Sequence, residues 1–141
     1  MHPIIRNILA VVFGWFAGSI VNMSLIQLGN KLLPIPGVEP NNMDALAKVI
    51  PTLEPQFFIF PFLAHALGTF VGAIIAGYIA FNHKMKFALA VGFLFLLGGI
   101  TVNYMLPGPT WFTITDIVLA YLPMAWLGWK IVINTSKKNA I

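Results

Sequence analysis

The sequence predicts an all-α membrane protein, a four-transmembrane-helix antiparallel bundle, and three observations lead there. Of 141 residues, 59% are hydrophobic and only 9% are charged, where a soluble domain needs roughly a quarter to cover its surface. Mean hydropathy is +0.88. Four stretches are each long enough for a bilayer core, which takes about 20 apolar residues in a helix. Continuous apolar runs without strict alternation argue against a β-barrel, and backbone groups in lipid must then be paired within each helix.

The expected spans are about 8–28, 57–81, 87–104 and 111–132, in a single integral membrane domain covering residues 1–141. The apolar region of the first is too long for a cleavable signal peptide and reads as a retained anchor. There is no cysteine, which excludes disulfides, thiolate metal sites and covalent haem attachment within the chain.

Charge supplies an orientation. Arg6, Lys84, Lys86, Lys130, Lys137 and Lys138 fall on one side of the spans, and only Lys31 and Lys48 on the other. The positive-inside rule places the first group, with both termini, in the cytoplasm. Tyr104 and Trp111 are then outer interface anchors, and Tyr78, Trp126 and Trp129 inner ones. A cell membrane, in particular a bacterial inner membrane, is the expected location. The basic residues read as topology determinants and contacts for anionic lipid, with the bilayer as partner and no nucleic acid.

One long connection, 31–56, faces outward and holds five prolines. Within it the stretch 41–50 predicts a short amphipathic helix, with Asn41 or Asn42 as N-cap and Asp44 in the first turn. Short links elsewhere make consecutive helices antiparallel neighbours. A repeat runs through the spans. Gly18–Asn22 and Gly99–Asn103 both read Gly-x-x-Val-Asn, and Glu54 and Asp116 each stand seven residues before a proline, Pro61 and Pro123. This pattern suggests two copies of a helical hairpin.

Gly14 and Gly18 form one GxxxG stripe, and Gly68 and Gly72 another. Small residues let helix backbones approach closely in lipid. They predict packing within the chain or between copies in a homo-oligomer. Pro61 and Pro123 predict kinks, because each removes one helix hydrogen bond and frees the carbonyl four residues earlier.

The candidate binding residues are His65, Asp116, Asn22, Asn103, Glu54 and Gln27, all expected in the outer half of the bundle. Ionisable groups inside a membrane are costly and mark function or tight interhelical pairing. His65 and Asp116 form the expected titrating pair, with Asn22 and Asn103 as hydrogen-bonding partners. Glu54 lies about 16 Å from His65 along a continuous helix, so the two share no ion. One His and one carboxylate make too sparse a set for a transition metal. No nucleophile elbow, phosphate loop or dinucleotide fingerprint is present, so no catalytic residue, metal or cofactor is expected.

These features predict a small protein with an outward-facing polar intramembrane pocket that binds or transports a small solute, ion or proton. One alternative is a structural or accessory subunit whose polar residues only lock helices. The other is a membrane enzyme using the His/Asp pair on a lipid-like substrate.

Overall fold

The computed structural model describes residues 2–138, and these are helical with no strand among them. Helix α1 runs Pro3–Leu32 and α2 Met43–Val49. Helices α3 (Ile59–Ile79) and α4 (Lys84–Met105) follow, then α5 (Thr110–Leu119) and α6 (Leu122–Lys138). With the 3-10 turn Pro55–Phe58 continuing into α3, and α5 stacked on α6, four helical stretches are long and apolar enough to cross a membrane.

The first, third and fourth helical stretches outrun the apolar segments that predicted them, because hydrogen bonding continues into the polar flanks. The second begins earlier than expected, at Pro55, but stops at Ile79, short of the expected 81. At the start of α1, Pro3 occupies the first turn, where a missing N–H costs nothing. The side chain of His2 there accepts from Ile4 N at 3.3 Å. Helix α2 forms where expected, and Asn42 is its cap, with Oδ1 accepting from Ala45 N at 3.0 Å. Pro61 proves not to kink a helix interior. It is the third residue of α3, where its absent N–H has no partner to lose.

Glycine sets the packing. A Cβ on Gly14 would meet Gly72 O at 2.6 Å and Ala76 Cβ at 2.8 Å, and one on Gly68 would meet Gly18 O at 2.8 Å. Both GxxxG stripes therefore face each other within one chain, and α1 lies backbone against backbone on α3. Elsewhere Gly92 is pressed against Ala125, Gly77 against Val132, and Gly128 against Phe70 O and Ala73. Helices α3, α4 and α6 form the centre, with Ala73, Ala76, Ala88, Val91 and Ala125 fully buried. Helix α1 leans on α3 and touches α4 much less.

The end carrying the termini is tied by side chains. Arg6 Nε donates to Ile79 O at 2.6 Å, satisfying a carbonyl at the C-terminus of α3. Asn7 donates to Asn82 Oδ1 and accepts from Phe81 N, both at 2.9 Å. The turn closes through His83 at φ 44°, a left-handed position where His is one of the better tolerated side chains. At the opposite end Phe58, Trp111 and Phe112 cluster, with Phe58 and Phe112 centroids 4.6 Å apart.

Substitution of Gly18 by leucine should overpack the α1–α3 seam at a cost of about 1–3 kcal/mol, read as a lower unfolding midpoint in detergent. Gly98→Leu is the control: a Cβ there meets nothing within 4 Å, and the midpoint should hold.

Candidate functional site

The site is built by two helices and the break that follows the second of them. His65 sits on the second turn of α3, between the fully or almost fully buried Ala64 and Ala66. Asp116 is carried by α5 and Tyr121 by the two-residue interruption between α5 and α6. Nδ1 of His65 lies 2.8 Å from Oδ1 and 3.0 Å from Oδ2 of Asp116. The Tyr121 hydroxyl donates to Asp116 Oδ2 at 2.8 Å and lies 3.0 Å from His65 Nδ1. The three side chains form a closed triangle.

Pro123 makes that triangle. Without an N–H it cannot bond the Leu119 carbonyl. The helix stops at Leu119 and restarts at Leu122. In an unbroken helix, residues five apart point about 140° away from each other. The interruption turns Tyr121 back, so that its hydroxyl reaches a carboxylate five residues earlier.

Asp116 is 0% exposed, and a buried carboxylate requires donors to offset its lost hydration. The Tyr121 O–H donates to Oδ2, and in the tautomer that carries the proton on Nδ1 the His65 ring donates to the same carboxylate. That bond orients the imidazole. Every contact to His65 uses Nδ1, which leaves Nε2 as the group available to another molecule. The ring is 14% exposed.

What it faces is a cavity of about 240 Å³. Asn22, Ser19 and Trp15 of α1 line one wall, and Phe95, Gly98 and Gly99 of α4 the other, with His65 and Tyr121 as floor. Gly99 is required there, because a Cβ would collide with the Tyr121 ring and hydroxyl. Asn22 is held over Gly68, one turn along α3 from His65: a Cβ on Gly68 would come within 3.0 Å of Asn22 Cβ. Among the described residues no three His, Cys, Asp or Glu side chains converge as metal ligands.

Of the six residues read from the sequence, His65 and Asn22 line this cavity, and Asp116 lies buried behind His65. The others lie apart. Asn103 donates to Gly99 O at 3.0 Å and accepts from Thr113 Oγ1 at 2.9 Å, which staples α4 to α5. Glu54 is exposed and accepts from Gln56 Nε2 at 2.9 Å. Gln27 is exposed on α1, outside the cavity lining. Tyr121 is the residue that sequence reasoning missed as a site residue. Its signal was present: a hydroxylated aromatic two residues before Pro123, well away from the span ends where tyrosine usually anchors.

Four residues from His65 along α3, Thr69 is completely buried, and its hydroxyl has no hydrogen-bond partner. No protein-family model, curated protein or solved structure matches the chain, so the chemistry of the site carries the functional reading.

Two substitutions should move stability in opposite directions. Tyr121→Phe removes a donor from a buried carboxylate and should cost about 2 kcal/mol, whereas Thr69→Val removes an unpaired hydroxyl and should gain about 1 kcal/mol. Thermal unfolding in detergent reads both.

Proposed function

We propose that this chain is an integral membrane protein that binds a small hydrogen-bonding molecule, or a proton, at His65. Asp116 and Tyr121 act as positioning residues behind the ring, and Asn22 supplies a second polar contact. The supporting observation is the division of labour on the imidazole. Nδ1 is tied to a fully buried carboxylate at 2.8 Å, and the ring borders a cavity of about 240 Å³. A histidine needed only to lock helices has no use for that space. Binding in such a site is one step of a transport or sequestration cycle.

The reading includes an antiparallel bundle with both termini cytoplasmic. Contacts of Arg6 with Ile79, Gly14 with Gly72 and Gly18 with Gly68 support the antiparallel arrangement of the first pair. The side-chain ties of Arg6 and Asn7 lie at the same end as Lys84 and Lys86, which agrees with a cytoplasmic, positively charged face. Gly18 and Gly99 are each buried where their helix meets the following span. That parallel supports two related hairpins.

A second reading has its own support. The triangle joins α3 to the α5–α6 stretch, so it also braces the bundle as an accessory subunit would require. The two readings part on one experiment. Purified wild type, His65→Ala and Asp116→Asn are screened against small solutes, ions and a pH gradient, with thermal shift and liposome flux as readouts. Binding or flux in wild type that falls by about tenfold or more in both variants supports the site. Variants that respond to every ligand as wild type does, with only a lower melting temperature, would leave the bracing role alone.

A further inference from the structure

Resting on that reading of His65, we infer that the site opens sideways into the bilayer between α1 and α4. Its ligand is a lipid-soluble molecule with a ring-sized hydroxylated head, of the phenol or quinol class.

The argument starts from where the cavity lies. His65 is ten residues after Pro55 and fourteen before Ile79, about 15 Å and 21 Å along a helix axis. That depth is near the middle of a span, within the hydrocarbon of a bilayer. The rim residues Trp15, Met23, Leu94 and Val102 are apolar and between 40% and 55% exposed. At that depth their open faces meet hydrocarbon.

Helix packing explains why the gap stays open there. Glycines bring α1 backbone to backbone onto α3, while its approach to α4 is through side chains, those of Val91 and Phe95. Gly14 and Gly18 are packed against α3 and also against these two side chains of α4, whereas further along α4 a Cβ on Gly98 would meet nothing within 4 Å. Gly98 is exposed and lines the cavity, so it marks the gap.

Size and chemistry then narrow the occupant. A cavity of about 150 Å³ takes benzene. A volume of about 240 Å³ therefore accepts one substituted ring but not a whole lipid, so an apolar tail must pass out between the helices. The walls suit a ring, with Phe95 and Trp15 beside the cavity and Tyr121 at its floor. With Nδ1–H donating to Asp116, Nε2 of a neutral imidazole is an acceptor. It takes the hydroxyl proton of the head group in a hydrogen bond. Asn22 and Ser19 offer further contacts for a second oxygen.

The test is equilibrium binding to purified protein in phospholipid nanodiscs, followed by tryptophan fluorescence, since Trp15 stands at the opening. The probes are 4-nonylphenol, its methyl ether and phenol itself. The inference expects saturable binding of 4-nonylphenol, and about tenfold weaker binding of the ether, which has no proton for Nε2. Gly98→Leu should weaken 4-nonylphenol to a similar degree by filling the gap. Failure of wild type to bind 4-nonylphenol saturably overturns the inference, as does equal binding of 4-nonylphenol and its methyl ether. The comparison of probes needs no variant, so it decides even if Gly98→Leu does not fold. If phenol binds, Gly98→Leu changes nothing and His65→Ala abolishes it, the sideways opening falls and the His65 site stands. Saturable 4-nonylphenol binding that His65→Ala leaves intact sinks both.

Discussion

The close approach of α1 to α3 is the constraint on which the rest of the molecule depends. In lipid, helices gain little by hiding apolar surface from one another, so contact has to come from packing and polar bonds. Gly14, Gly18, Gly68 and Gly72 provide it by bringing two backbones to within the width of a missing side chain. Two consequences follow. Asn22 is set directly over Gly68, beside the turn that carries His65. Helix α1 meets α4 less closely, touching Val91 and Phe95 but leaving open space beside Gly98.

The second determinant is a defect. Proline inside a helix usually costs about 3 kcal/mol or more in a soluble protein. Here the break after Leu119 allows Tyr121 and Asp116 to share one point in space despite a five-residue spacing. The carboxylate gains two donors in return, and a buried acid without them would be far costlier than the lost helix bond. Pro61 shows the contrast. Lying in the first turn of α3, it disturbs nothing.

Polar groups in the bundle divide by what they can reach. Asn103 and Arg6 find carbonyls or hydroxyls of neighbouring helices and act as staples. Ser24 and Thr101 bond back to their own helices. Around His65, polar side chains from separate helices meet next to open space. Thr69, buried and unpaired nearby, shows that the region tolerates polarity that packing alone does not require.

Much of the architecture was legible in the residues. Apolar runs of sufficient length determine four helices because nothing else satisfies a backbone in hydrocarbon. Glycine spacing foretold close helix contact, Asn42 its cap, and Pro123 the broken helix. Depth along the spans also pointed to His65 and Asp116 as a pair, since an isolated ionisable group there is too costly to persist. Sequence spacing could not separate Asn22, which borders the cavity, from Asn103, which staples α4 to α5. Both sit in the same Gly-x-x-Val-Asn context, and the choice depends on which helix lies opposite. Glu54 and Gln27 share the polarity of a site but not its location. Tyr121 joined the site only because the direction of a side chain after a helix break is set by packing around the break. The sequence by itself determined the helices and the scarce polar groups; tertiary structure decided which of those groups meet, because meeting depends on helix rotation and crossing, and these arise from contacts between residues far apart in the chain.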